Sequence, residues 1–265
     1  MSSHEPEPRA ASAESESAGP LAPQTAPAAQ AEAVPSLPGG FPRLVFAAAI
    51  LAGIIAWLGG EAIHGRYDAP LLDSFHPRSR EMGAMVASAT IREGMRAFAM
   101  LGAALGLAMG LAGGFARRSR PAALAAGSLG LVLGAVVGAG SVVALVPYYL
   151  KYVNRDGDDL VWPLLTHGGI WSAVGAAGGL AFGLGLGDWR RAGRVLVGGL
   201  IGALIAVLVF ELAGPLAFPL DKTGEPISES WGSRLFARLV LTVLTAAGAA
   251  LAVRPEKPSH TADDS

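Results

Sequence analysis

Apolar runs of membrane length recur along the chain from Phe41 onward, and charged residues gather almost wholly between them. About 20 consecutive apolar residues span the hydrocarbon of a bilayer. The pattern therefore predicts six spans, at about 43–63, 95–115, 122–146, 164–187, 194–214 and 234–253. Leu129 to Val146 contains no charge, and neither does Val195 to Phe210. A soluble bundle needs a wetted face on each helix, so these two runs favour transmembrane helices.

Residues 1–40 are a different polymer. Pro6, Pro8, Pro20, Pro23, Pro27, Pro35 and Pro38 stand among Ala, Ser and Glu, with almost no large apolar side chain. Such a stretch cannot bury enough surface to offset its chain entropy, so it reads as a disordered tail. Its acidic start, Glu5 and Glu7, and its lack of an apolar core exclude a signal peptide, and Met1-Ser2 lacks the glycine that myristoylation requires. Residues 255–265 form a short polar C-terminal tail.

Composition agrees with the pattern. Hydrophobic residues make up 52% and charged residues 15%, against about 25% charged in soluble domains. Aromatics are 7%, so Ala, Leu, Val and the 36 glycines supply the apolar mass. A net charge of -1 argues against a nucleic-acid partner. With no cysteine there are no disulfides, thiolate metal sites or thiol nucleophiles.

Basic residues set the expected orientation. Arg117, Arg118 and Arg120 follow the second run, and Arg190, Arg191 and Arg194 follow the fourth. Short Arg-rich loops stay cytoplasmic, so six spans put both termini in the cytoplasm. The first outward loop opposes this with Arg66, Arg78, Arg80 and Arg92, although it is long. Helical rather than barrel spans point to a cytoplasmic membrane, and the Ala/Gly/Pro bias to a bacterial one.

Glycine is written at a four-residue interval. The second span reads Gly102, Gly106, Gly110 and Gly114, and the fourth reads Gly175, Gly179, Gly183 and Gly187. The offset of 73 also carries Arg117-Arg118 onto Arg190-Arg191, and Val146-Pro147 nearly matches Phe218-Pro219. An internal repeat follows. The predicted fold is an all-α integral membrane protein, its six transmembrane helices forming three glycine-packed hairpins (spans 1–2, 3–4 and 5–6). Glycines at i, i+4, i+8 and i+12 drift about 40° per step and make a slowly winding groove. In lipid, association depends on close backbone approach, so these eight glycines are expected to pack helices.

Ionisable residues within the runs are candidates because burial in lipid is expensive. Glu211 lies four residues before Pro215, whose missing N–H frees the Glu211 carbonyl. Glu61 is at comparable depth on the first span. Arg96, Arg234 and Arg238 come down returning helices, and Arg234 and Arg238 share a helix face. A Glu211–Arg238 ion pair is the expected clasp. The sharper alternative makes Glu211 a coupling carboxylate.

Other chemistry finds little support. His64, His76 and His167 fall on the expected outer side near Asp68 and Asp73, without ligand spacing, so no metal site is expected. Asn154 to Asp159 resembles a calcium loop only faintly, with Leu165 where the bidentate Glu belongs. Ser141, Thr166 and Ser172 have no His at a telling spacing, and no nucleophile elbow or phosphate loop occurs. The protein is therefore read as a non-enzyme without a cofactor. Tyr148, Tyr149, Tyr152, Trp162 and Trp231 cluster at the outer span ends, where rings anchor at headgroups.

The leading functional expectation is a packing, assembly or partner-interaction role within the lipid bilayer. The tail, wandering roughly 35 Å, is long enough to reach a protein partner. The alternative is a small-solute or ion transporter or channel using Glu211 near a kinked fifth helix.

Overall fold

The computed structural model describes residues 41–63, 79–153, 161–221 and 223–253. Its described residues form six α-helices and no strand: α1 (Phe41–Ile63), α2 (Ser79–Ala116), α3 (Arg120–Tyr152), α4 (Val161–Leu186), α5 (Trp189–Ala217) and α6 (Trp231–Ala252). All six are long and apolar enough to cross a membrane. The predicted spans fall inside these helices to within a residue. The largest difference is α2, whose 38 residues reach back to Ser79. At 1.5 Å per residue that is roughly 57 Å, well beyond the hydrocarbon thickness. Arg92 and Glu93 lie in this added part, so counting charges ended the span where the helix goes on. The N-terminal tail, the C-terminal tail, His64, His76 and the Asn154–Asp159 turn lie outside the described residues.

The chain reverses sharply at the end of the bundle that carries Arg117, Arg118, Arg120, Arg190, Arg191 and Arg194, here the basic end. Arg118 after α2 has φ 60° and Gly187 after α4 has φ 78°. Ser119 then caps α3, its hydroxyl accepting from the Ala122 N–H, and Asp188 caps α5, accepting from Arg190 and Arg191. A left-handed residue followed by an N-cap ends one helix and starts the next within three residues.

These turns bring α2 against α3 and α4 against α5 at backbone distance. A Cβ placed on Gly102 would stand 2.0 Å from the Gly134 carbonyl oxygen, and one on Gly106 would stand 2.0 Å from that of Gly130. Gly110 meets Ala126 and Gly114 meets Ala123 in the same way. On α4, Gly175 faces Gly199 and Ala203, Gly179 faces Val195, and Gly183 faces Ala192. Gly113 lies against Phe182 and joins α2 to α4, while Gly198 and Gly248 bring α5 to α6. Of the couples 1–2, 3–4 and 5–6 expected from sequence, 5–6 meets at backbone distance, with Cβ atoms on Gly202 and Gly248 2.1 Å from the Leu244 and Gly198 carbonyl oxygens, while the α2–α3 and α4–α5 approaches flank the basic-end turns instead.

The register also differs from the expected offset of 73. Gly106–Gly130, Gly110–Ala126 and Gly114–Ala123 correspond to Gly175–Gly199, Gly179–Val195 and Gly183–Ala192, an interval of 69. Arg118 and Ser119 correspond to Gly187 and Asp188 at that interval. Gly187 is thus a turn residue under the Arg117 guanidinium, not a member of the packing face. Glycine at every fourth position looks unchanged after a slip of four. The offset of 73 follows the arginines instead, although Arg117 sits in a turn and Arg190 in the first turn of a helix.

Candidate functional site

At the opposite, far end the polar residues converge. Arg234, in the first turn of α6, grips Glu61 of α1 with two prongs, Nε to Oε1 at 2.6 Å and Nη2 to Oε2 at 2.7 Å. Its Nη1 donates to the Ser228 carbonyl at 3.0 Å and also to that of Glu229. One turn deeper, Arg238 lies flat on α1, donating from Nη1 to the Trp57 carbonyl at 3.1 Å. Gly60 makes this possible, since a Cβ there would be 2.3 Å from Arg238 Nη2. Trp57 Nε1 in turn donates to the Trp231 carbonyl at 3.2 Å and completes the α1–α6 seam.

Glu211 does not take Arg238, the partner expected from sequence. Its Oε1 is 2.5 Å from Nδ1 of His167 on α4, and His167 Nε2 is 3.1 Å from the Glu225 carbonyl. The reason is positional: Arg238 is held against α1, whereas α4 and α5 pack directly and place His167 opposite Glu211. A carbonyl only accepts, so Nε2 carries the hydrogen of that bond and Nδ1 is left facing the Glu211 carboxyl. His167 is buried at 2% exposure, edge-on to Phe210.

The loop between α5 and α6 roofs this region and is itself tied down by Asp221. Its carboxylate accepts from the Glu229 N–H at 3.0 Å, the Ser230 N–H and hydroxyl, and the Ser233 hydroxyl. Ser230 is also the N-cap of α6. Partial burial pushes the Asp221 carboxyl up, but the bonds from Ser233, Ser230 and Glu229 together outweigh it and hold it below its usual value. Tyr149, expected in an interfacial belt, is buried instead and donates its hydroxyl to the Gly224 carbonyl at 3.1 Å. Tyr152 and Trp162 stack at 5.0 Å.

Beneath the roof is a cavity of about 40 Å³, room for about three waters. Phe98, Trp171 and Phe210 wall it, and His167, Arg234 and Arg238 bring polar groups to it. Trp171 Nε1 is buried without a hydrogen-bond partner. Among the described residues, no three His, Cys, Asp or Glu side chains come together as a metal site. Of the residues singled out from sequence, Glu61, Glu211, Arg234 and Arg238 all reach this far end. Trp171 is a site residue that sequence reasoning missed, and His167, placed on this side but weighed only as a metal ligand, was not matched to Glu211. The signal for His167 was depth, because it begins α4 about as far in as Glu211 ends α5.

Among the described residues, six helices of membrane length and no strand give the build of a multi-pass membrane protein. No protein-family model, curated protein or solved structure matches it.

Proposed function

We propose that this protein binds a small solute in the far-end cavity and moves it across the membrane. The supporting observation is the convergence of Glu61, His167, Glu211, Arg234 and Arg238 from four helices around one cavity. Ionisable groups are costly within a bilayer and are concentrated along solute and ion paths. This reading places the basic-end turns and both termini in the cytoplasm, by the bias of short Arg-rich loops. The cavity then lies on the outer side beneath the α5–α6 loop, and the glycine faces close the inner half. Two related helix pairs, α2–α3 and α4–α5, form an internal repeat of glycine-zipper type, flanked by α1 and α6. The hydrogen-bonded His167–Glu211 pair supplies groups able to couple solute movement to protons.

The chain has no native cysteine. Single cysteines at positions 97, 211 and 237 near the cavity, and at 106 and 179 on the glycine faces, would be challenged with a membrane-impermeant maleimide in intact membranes. Labelling at 97, 211 and 237 but not at 106 or 179 is expected. Labelling confined to loops would overturn the solute pathway.

A second reading, assembly with a partner, rests on an apolar groove of about 450 Å³ between α5 and α6. Val197, Ile201, Ile205 and Leu251 line it together with small residues. A cysteine at Ile201 that cross-links to another polypeptide in native membranes would favour this role.

A further inference from the structure

We propose that the far-end cavity is a binding site for a short-chain monocarboxylate, held by the guanidinium of Arg238. This rests on the solute-binding reading above and names the class of solute.

The cavity holds more hydrogen-bond donors than its neighbours use. Arg234 and Glu61 form a two-pronged pair, and the remaining bonds of Arg234 go to the Ser228 and Glu229 carbonyls. His167 and Glu211 bond to each other. Arg238 makes one hydrogen bond, to the Trp57 carbonyl. Its guanidinium lies on the cavity wall in a residue that is 7% exposed. A guanidinium has five N–H donors, so Arg238 keeps four. Trp171, also on the cavity wall, has an indole N–H with no partner.

The site is therefore rich in free donors, with the buried Arg238 guanidinium and the Trp171 indole N–H both on the cavity wall. That combination selects an anion over a cation or a neutral sugar. A carboxylate matches the guanidinium fork with two parallel bonds and one charge. A phosphate dianion would bring two charges to one guanidinium. The remaining wall is apolar, with Phe98, Leu101, Ile227 and Ala237, and the volume of about 40 Å³ admits only a few carbon atoms. The class is an acetate- to butyrate-sized acid, arriving either from solution or as the head of a fatty acid from the bilayer.

The purified full chain in a non-ionic detergent would be titrated with sodium propionate, with sodium dodecanoate, and with sodium chloride at matched ionic strength. Tryptophan fluorescence and thermal unfolding would be read at pH 7. Propionate is expected to give a saturable fluorescence change and a rise in Tm that chloride does not give. Saturation by dodecanoate at far lower concentration would assign the ligand to the bilayer instead of solution. Arg238→Lys should weaken binding about ten-fold, because an ammonium lacks the fork, and Arg238→Gln should abolish it. Ala237→Leu, which fills the cavity without touching a charge, should abolish it too and keeps the test available if Arg238→Gln does not fold. No saturable response to either carboxylate, or an unchanged response in Ala237→Leu, overturns the inference. Water-accessible cavity cysteines without carboxylate binding would leave the pathway standing and remove only this ligand class. Binding without labelling would do the reverse.

Discussion

The close approach of Gly106 to Gly130 allows a sharp test of what holds the helices together. In Gly106→Ala the new methyl would sit 2.0 Å from the Gly130 carbonyl oxygen, with the carbonyl carbon at 2.5 Å. Ordinary van der Waals separation begins near 3.4 Å, so α2 and α3 must part locally by about 1.4 Å. Backbone cannot escape by changing rotamer, and the neighbouring approaches at Gly102 and Gly110 open with it. Overpacking of this kind costs about 1–3 kcal/mol, and each Cα–H···O interaction that the separation breaks adds a fraction of that. Against it stands the better helix propensity of alanine, about 1 kcal/mol. Packing wins, and a net destabilisation of about 2 kcal/mol corresponds to roughly 4–8 °C in Tm for a chain this size.

The control is Gly140 on α3, where a Cβ would meet nothing within 4 Å. Gly140→Ala should leave Tm unchanged or raise it by a few degrees. Both variants would be unfolded thermally in detergent, with the full chain as reference. Gly106→Leu should be worse than Gly106→Ala, to the point of failing to fold. Equal Tm for Gly106→Ala and Gly140→Ala would refute the argument, because propensity alone cannot distinguish the two sites.

Two further outcomes follow from the polar end. Glu61→Gln strips the carboxylate from the buried Arg234 guanidinium and should cost about 3 kcal/mol; Glu61→Leu combined with Arg234→Met should cost less than the two singles added, as a double-mutant cycle by thermal unfolding would read. Asp221 gives a pH dependence: its carboxyl is held below the ordinary value of 3.8, so its stabilisation is present above that value and lost as pH falls through the lower folded one. Asp221→Asn should therefore unfold at lower temperature than the parent at pH 7, and the gap should close below about pH 3.8; a constant gap down to the acid limit would count against the Asp221 network.

Helix number and placement were legible because membrane burial writes itself as long apolar runs, and the runs here are interrupted by charge at almost every boundary. The exception, the first part of α2, shows the limit of that signal. A helix continues through Arg92 and Glu93 when backbone bonding is satisfied, whether or not lipid surrounds it. Which glycines face which was less legible, since a four-residue interval has no preferred register. The partners of the charges were the least legible. Depth along a span brought Glu61, Glu211, Arg234 and Arg238 to one level, but depth says nothing of azimuth. Azimuth is set by which helices touch, and that depends on the glycine register. Gly60 shows the dependence at a single residue. Because it lacks a side chain, Arg238 lies on α1 and not toward α5, and Glu211 is left to His167. The small residues thus do more than bring helices close. By deciding which backbone an arginine can cover, they decide which charges are paired and which face the cavity.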